Sequence, residues 1–290
     1  MTLSRQLATP VGQLVAFVGG AAVCIVAAVA AAGFFLGFLG PVRQDVAGAT
    51  VSAFIAALLI ALSVYLLRRQ GASLASLGLP TIRSGLPELA FGFVVSAAMF
   101  LAVAWTQSVV TGSSWEFQGT AGLVAAVYGL ALTTCFVLAE ELLFRGVGLR
   151  ALRGLIGPSA AVVLSALLFG AYHLVGSGDW AMGAFFRFFT AMLGGLLFGY
   201  AAVRSGGLAL PIGLHLGGNW VQASVAGFSP VGAVGGSEQV RALWRIPLLE
   251  TDVQLLTAPD LLVRLPYITA IGIAALLTWH FLRFKQRSRY

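Results

Sequence analysis

A single stretch decides the fold class: residues 11–39, VGQLVAFVGGAAVCIVAAVAAAGFFLGFL, contain no charged side chain. An apolar run of this length exceeds the roughly 20 residues that an α-helix needs to cross a bilayer. It is also longer than the apolar core of a signal peptide, which has about 7–15 residues. The stretch therefore predicts a transmembrane helix that is retained in the mature protein.

The composition of the whole chain points the same way. Of its 290 residues, 59% are hydrophobic and 9% are charged, and the mean hydropathy is +0.95. Soluble domains have about 25% charged residues, so this chain has too little polar surface to fold in water. The 36 glycines favour packed membrane helices over a β-barrel. The two cysteines, Cys24 and Cys135, lie in apolar runs and are typical of small core residues.

Seven further apolar stretches of about 18 residues or more follow the first. We expect their helices near residues 49–67, 88–110, 121–144, 157–175, 184–203, 207–228 and 265–284. The sequence thus predicts an all-α, polytopic membrane protein with about eight transmembrane helices in one domain. Between the spans we expect an interfacial segment at 70–87 and, in the long loop at 229–264, a short amphipathic helix around 238–249.

The distribution of positive charge predicts the orientation. With a cytoplasmic N-terminus, 12 of the 17 Lys and Arg residues fall in inner segments, which is the asymmetry expected for cytoplasmic loops. We therefore predict a multi-pass protein of the inner (plasma) membrane with both termini in the cytoplasm. The net charge of +7 does not indicate nucleic acid as a partner, because the cations lie at the ends of apolar runs and form no basic face.

Three of the predicted helices carry polar side chains that are costly inside a membrane. These residues are Glu140, Glu141 and Arg145 in the fourth span, His173 in the fifth, and His215 and Asn219 in the seventh. Glu141 and Arg145 are four residues apart and favour a structural ion pair. Because adjacent helix positions point about 100° apart, Arg145 does not also serve Glu140, and one carboxylate is left over.

Each of the other groups, taken alone, has a structural explanation. His173 alone is typical of a hydrogen-bonded core residue, and His215 with Asn219 is typical of contacts between membrane helices. Taken together, they favour a shared polar site in the middle of the membrane. At about 1.5 Å of helix rise per residue, Glu140 reaches that depth only if its helix continues to Arg150.

The polar set has the groups that peptide-bond hydrolysis requires, namely a base for a water molecule and donors for the oxyanion. We predict that Glu140 is the general base and that His173 holds the water or shares its proton. His215 and Asn219 are the predicted oxyanion donors. The two glycines between them are predicted to let the substrate backbone approach closely.

Other intramembrane protease patterns fit less well. The chain has no H-E-x-x-H zinc motif and no Gly-x-Ser-Gly serine motif. Residues 176–179, GSGD, match the G-x-G-D pattern of aspartyl proteases, but the second aspartate that this chemistry needs is missing from the predicted spans. A zinc ion held by Glu140, His173 and His215 stays open, since carboxylate and imidazole are zinc ligands.

The three polar motifs resemble those of a known family. They are EExxxR at 140–145, FxxxH at 169–173 and HxxxN at 215–219, in this order on separate helices. This arrangement resembles the CPBP (Abi) family of intramembrane proteases, which includes type II CAAX prenyl endopeptidases and bacteriocin-processing relatives. The resemblance covers about residues 121–225, and no motif position is substituted.

The resemblance implies endopeptidase activity in a polar catalytic cavity among the core helices. It implies catalytic roles for Glu140, His173, His215 and Asn219, and supporting roles for Glu141, Arg145 and Phe169. It implies no metal or other cofactor, with zinc as the open alternative. The expected partners are a peptide or membrane-protein substrate and the lipid bilayer.

The motifs also suggest how the single membrane domain at 1–290 is organised. Residues 1–120 are expected to form peripheral helices and the interfacial segment, 121–228 the catalytic core helices, and 229–290 the outer loop and the C-terminal helix.

Two other function classes remain open from the sequence. One is a catalytically silent membrane immunity or adaptor protein, in which the polar core serves binding. The other is a proton-coupled transporter, since buried Glu and His side chains also relay protons. The chain shows no inverted repeat, which is a feature of many transporters.

Overall fold

The computed structural model describes residues 9–77, 85–175, 182–227, 242–246 and 261–287. Its helices are α1 (Pro10–Leu39), α2 (Gln44–Arg68), α3 (Leu86–Thr111), α4 (Gly119–Arg145), α5 (Val147–Ile156), α6 (Pro158–Tyr172), α7 (Met182–Ser205), α8 (Ala209–Trp220) and α9 (Leu261–Arg287). A 3₁₀ turn covers Leu74–Leu77, a π-helical turn covers Val221–Val225, and two short strands are β1 (Glu116–Phe117) and β2 (Trp244–Arg245).

The predicted spans are all helical in this structure. Within the described residues, five helices are long and apolar enough to cross a membrane by length and composition, when α4 and α5 are counted as one. Helix α6 is apolar but shorter. The chain is therefore an all-α, polytopic membrane protein, as its hydropathy predicts.

Helix α1 begins and ends at residues suited to helix boundaries. The side chain of Thr9 accepts a hydrogen bond from the Gly12 amide at 3.1 Å, and Pro10 occupies the first helical position, where proline's missing N–H does least damage. The helix ends at Gly40, whose φ of +73° favours glycine. Its partner is α2, on which α1 packs through alanine side chains.

Helix α8 packs most extensively against α3, and glycines bring the two backbones together. A Cβ atom on Gly213 or Gly217 would collide with the carbonyl oxygen of Leu89 or Phe93. On the opposite helix, a Cβ on Gly92 would lie 2.7 Å from the Leu210 carbonyl oxygen. Small residues at this spacing are the usual means by which membrane helices approach closely.

The position of α3 bears on the organisation expected from the sequence. The helix lies in the segment expected to be peripheral, yet it packs against α8, which carries His215 and Asn219. The close approach depends on Gly92, Gly213 and Gly217. Helix α3 is therefore part of the wall around the candidate site.

The fourth helix ends within one residue of the predicted bound of 144 and does not continue straight to Arg150, the longer form that the depth estimate required. Helix α4 ends at Arg145, and the backbone of Gly146, with φ −71° and ψ −136°, breaks the helix before α5 begins at Val147. A Cβ atom on Gly146 would collide with the carbonyl oxygen of Leu142. The break thus needs a residue without a side chain.

The interfacial segment and the outer loop also differ from expectation where they are described. Leu77 is buried, and its carbonyl oxygen accepts a hydrogen bond from the Leu208 amide at 3.0 Å, so this end of the segment docks on the bundle. In the outer loop, β2 pairs with β1 in antiparallel fashion, which contradicts the amphipathic helix over residues 242–246. The remaining residues of both predictions, 78–84, 238–241 and 247–249, lie outside the described ranges.

Candidate active site

The centre of the site is a buried ion pair within α4. Arg145 Nη1 donates a hydrogen bond to Glu141 Oε1 at 3.1 Å, and both side chains are fully buried, with 0% exposure. The pair predicted from the i, i+4 spacing is thereby confirmed. Because an unpaired charge in this environment is very costly, each of the two side chains depends on the other.

Arg145 has further contacts that compensate its burial. Its Nη2 donates to the carbonyl oxygen of Gly195 on α7 at 3.2 Å. The guanidinium carbon lies 4.3 Å from the ring centroid of Phe169 on α6, a distance at which cation–π attraction is strong. Arg145 thus joins α4, α6 and α7 at one point, and Phe169 supports it through its ring face.

His215 on α8 binds the same carboxylate. Its Nδ1 lies 2.8 Å from Glu141 Oε1, and because a carboxylate only accepts, Nδ1 is the donor. The imidazole ring is buried and stacks on Phe198 with a centroid distance of 4.5 Å. The opposite nitrogen, Nε2, lies 3.5 Å from Glu140 Oε2. His215 therefore lies between the two adjacent carboxylates of α4.

Glu140 and Glu141 are neighbours in sequence but have different environments. The side chain of Glu141 has no exposure, whereas that of Glu140 keeps 17%. This difference follows from the helix, which points adjacent residues about 100° apart. Glu141 is held in the protein interior by Arg145 and His215, and Glu140 has the accessibility that a group reacting with water needs.

His173 caps the C-terminus of α6 and is oriented by its own backbone. Its Nδ1 lies 2.8 Å from the carbonyl oxygen of Phe169, and a carbonyl only accepts, so Nδ1 donates. That bond leaves Nε2 as the nitrogen with an available lone pair. The ring lies 4.5 Å from Phe169 and within electrostatic range of Glu140 and His215.

A cavity adjoins these groups. It has about 420 Å³ of empty space, a volume that includes the open solvent at its mouth. Its lining includes His173, His215 and Asn219 from three separate positions in the sequence. The structure thus brings these three predicted residues to one space, with Glu140 in contact with His215. Their catalytic roles stay predictions.

The glycines beside Asn219 do not have the role expected from the sequence. Gly217 faces the backbone of Phe93 on α3, so it serves helix packing and not the approach of a substrate. Gly218 does line the cavity, but a Cβ there would lie 2.7 Å from the ring of Phe100. Both positions are small because α3 is close.

Several residues of the site were not predicted from the sequence. They are Phe100, Gly195, Phe198, Gln222 and Tyr267, which contact Arg145 or His215 or line the cavity. Only Gln222 carried a detectable signal, because it lies seven residues after His215 and so shares its helix face. The others are aromatic side chains or glycine, which are indistinguishable in sequence from ordinary membrane-helix residues.

Metal ligation is less well supported by the arrangement of the side chains. In the ranges that the structure describes, no group of three or more His, Cys, Asp or Glu side chains is arranged to hold a metal ion. Glu141 Oε1 already accepts from Arg145 and His215. The GSGD stretch at 176–179 lies outside the described residues. The absence of a cofactor stays a prediction.

Comparison with known families agrees with the motifs. Residues 120–221 match the sequence model of a family described as type II CAAX prenyl endopeptidase Rce1-like. Residues 120–221 form a CPBP (CAAX protease-like) domain. This segment contains every predicted site residue from Glu140 to Asn219, and its match supports a protease role. No curated protein and no solved structure matches the chain.

Proposed function

We propose that the protein is an intramembrane endopeptidase that cleaves peptides or membrane-protein termini with a water molecule activated by Glu140. The observation that carries this proposal is the position of His215 between two carboxylates. Its Nδ1 is bound to the buried Glu141, and its Nε2 faces the more accessible Glu140 at 3.5 Å. Membership of the CPBP domain in a protease family supports the same reaction class.

The charges around His215 suit a donor to an oxyanion. Glu140 and Glu141 place two carboxylates and Arg145 one guanidinium around the His215 ring, so the ring is surrounded by more acceptors than cations. Charge balance matters because the surroundings are buried and of low polarity. With Glu141 holding Nδ1, the Nε2–H is directed to the side of Glu140, where the attacked carbonyl oxygen is expected.

The proposed reaction needs one water molecule and no covalent intermediate. Glu140 takes a proton from water, and the hydroxide attacks the scissile carbonyl carbon. His215 and Asn219 donate to the resulting oxyanion. As the carbon–nitrogen bond breaks, Glu140 returns the proton to the leaving amine, so that protons balance over the cycle.

His173 is proposed to position the attacking water. Its Nδ1–H is bound to the carbonyl oxygen of Phe169, which fixes the tautomer and leaves Nε2 as an acceptor. An acceptor at this place orients a water hydrogen or shares the proton that Glu140 takes.

We propose that the reaction takes place in the inner (plasma) membrane with both termini in the cytoplasm. The charge asymmetry of 12 inner against 5 outer cations supports this orientation. Substrates then reach the cavity from the bilayer or from the aqueous phase next to it. Peptides and membrane-protein termini are the substrate class that fits a site at this location.

The proposal is tested by Glu140→Gln, with Glu116→Gln as the matched control. Glu116 lies on β1, where its exposed side chain is 4.0 Å from Arg245. Purified protein in liposomes is incubated with a quenched fluorescent peptide library. We expect Glu140→Gln to reduce cleavage at least about 100-fold, as loss of a general base does, while Glu116→Gln keeps wild-type activity. Cleavage that persists in Glu140→Gln rules out the assigned base.

A further inference from the structure

Part of the cavity wall lies outside the CPBP domain. Phe100 from α3, Gln222 from the π-helical turn and Tyr267 from α9 all line the cavity, whereas the domain ends at residue 221. Three residues with proposed catalytic roles, His173, His215 and Asn219, line the other part. The cavity therefore has a wall that carries the chemistry and a second wall that this chain adds.

The second wall is built around an aromatic pair. Phe100 and Tyr267 meet edge to face, with centroids 5.5 Å apart and an interplanar angle of 73°, which is a favourable arrangement. The ring of Phe100 also lies over Gly218, where a Cβ would be only 2.7 Å from Cε2. Phe100 thus contacts both Tyr267 and the α8 helix at Gly218, one residue before Asn219.

Gln222 places a carboxamide in the same wall. It is buried, and its Nε2 donates to the carbonyl oxygen of Gly218 at 3.3 Å. A carboxamide has a second N–H and an acceptor oxygen. Besides its bond to Gly218, Gln222 can therefore form hydrogen bonds to a peptide group of the substrate. Gln222 stands in the π-helical turn Val221–Val225 that directly follows α8, and such turns occur often at functional sites.

Small side chains of α7 also line the cavity. They are Thr190, Ala191 and Gly194, and their spacing places them on one helix face. A lining made of two rings and these small groups leaves space for a side chain of limited size. The cavity also includes Leu214 and Phe198, so a charged group there would lose its hydration without gaining a partner.

We propose that Phe100, Gln222 and Tyr267 form the specificity-determining surface of the enzyme. The surface binds one substrate residue next to the scissile bond: the two rings limit its side chain to a small or medium apolar group, and Gln222 binds its backbone amide. This inference rests on the proposed peptidase function. It adds the chemical class of the recognised residue and the side chains that select it.

The size limit is tested with Phe100→Ala, and with Phe100→Leu as a milder variant in case the first is poorly folded. Phe34→Ala is the matched control, because Phe34 on α1 is exposed. Synthetic peptides of about ten residues, varied one position at a time through Ala, Leu, Phe and Trp, are digested in liposomes. We expect Phe100→Ala to raise the preference for Phe or Trp over Ala at one position by about 10-fold or more.

The backbone contact is tested with Gln222→Leu and Gln222→Asn. Loss of one hydrogen bond to substrate is worth about 0.5–1.5 kcal/mol, which corresponds to an increase in KM of about 2- to 12-fold for Gln222→Leu with kcat nearly unchanged. Gln222→Asn keeps an uncharged carboxamide with an acceptor oxygen for the substrate amide and is expected to recover part of the loss in KM. A fall in kcat with KM unchanged contradicts the proposed contact.

Binding to the inactive Glu140→Gln protein separates this inference from the proposed function. The same peptides are offered to Glu140→Gln and to Glu140→Gln with Phe100→Ala, and the retained peptides are identified by mass spectrometry. A shift toward larger side chains in the double variant supports the surface, even if wild-type cleavage were absent and the peptidase proposal failed. Identical retained peptides overturn the surface, even if wild-type cleavage depends on Glu140.

Discussion

Helices α1 and α8 have similar apolar sequences but opposite environments. Helix α1 is 30 residues long and buries four of them, Phe17, Ala21, Ala28 and Ala32. Helix α8 is 12 residues long, and every residue from Ala209 to Gly218 is buried. The first therefore presents most of its surface to lipid, and the second lies inside the bundle.

The difference shows what hydropathy alone leaves undetermined. Lipid and protein interior are both apolar, so an apolar run is compatible with either environment. What distinguishes α8 is the combination of Gly213 and Gly217, which allow close packing, with His215 and Asn219, which need partners. Helix α1 carries no Asp, Glu, Lys, Arg or His side chain.

The largest effect on stability is expected at the buried charges. Arg145→Met leaves Glu141 in the interior without its guanidinium partner, and breaking such a pair costs about 3–5 kcal/mol of unfolding free energy. Arg43→Met is the matched control, because the Arg43–Asp45 pair is exposed, with side-chain exposures of 49% and 38%, and pairs of this kind contribute about 0–1 kcal/mol. Denaturant unfolding in detergent measures both.

A double variant sharpens this prediction. Arg145→Met combined with Glu141→Gln removes both charges, so it is expected to be more stable than Arg145→Met alone. If Arg145→Met and Arg43→Met lowered the unfolding free energy equally, the buried ion pair would contribute no more to stability than the exposed one.

The next effect is expected at the glycines that separate the two helices. Gly217→Ala drives a Cβ into the carbonyl oxygen of Phe93, whereas nothing lies within 4 Å of the same atom at Gly33 in α1. We expect Gly217→Ala to lose about 1–3 kcal/mol and Gly33→Ala to be neutral or slightly stabilising, since alanine is the better helix former. Thermal unfolding in detergent compares the two, and a neutral Gly217→Ala contradicts the close α3–α8 contact.

The smallest effect is expected on the lipid face of α1. Val23 is 69% exposed within the protein, so lipid fills the space that Val23→Ala opens, and the unfolding free energy should change by no more than about 0.5 kcal/mol. Leu214→Ala in α8 is the buried counterpart and is expected to cost about 2–5 kcal/mol. Equal losses for the two variants would place Val23 in a protein contact.

Local sequence patterns predicted much of this structure. The apolar runs predicted the helices, and the spacing of Glu141 and Arg145 predicted their ion pair, because both depend on residues that are close along the chain. The order of the three motifs pointed to the cavity. The Glu140 environment followed from helix geometry, which separates it from Glu141.

Contacts between residues that are far apart in sequence could not be predicted from these local patterns. The hydrogen bond of His215 to Glu141 joins positions 74 residues apart, and nothing local indicates which of the two carboxylates the imidazole binds. The pairing of β1 with β2 joins residues that lie even farther apart in sequence. The start of α5 directly after Gly146 was not predicted, because glycine is common throughout this chain and marks a helix boundary only where its conformation requires one.

The account depends most directly on the claim that Glu140 activates water for peptide cleavage. Its test is a comparison of protein N- and C-termini by mass spectrometry in cells that produce the wild-type chain, Glu140→Gln or Glu116→Gln at equal levels. We predict a set of membrane-protein or peptide termini that is present with wild type and Glu116→Gln and absent with Glu140→Gln. The same termini in all three cell lines would contradict the claim.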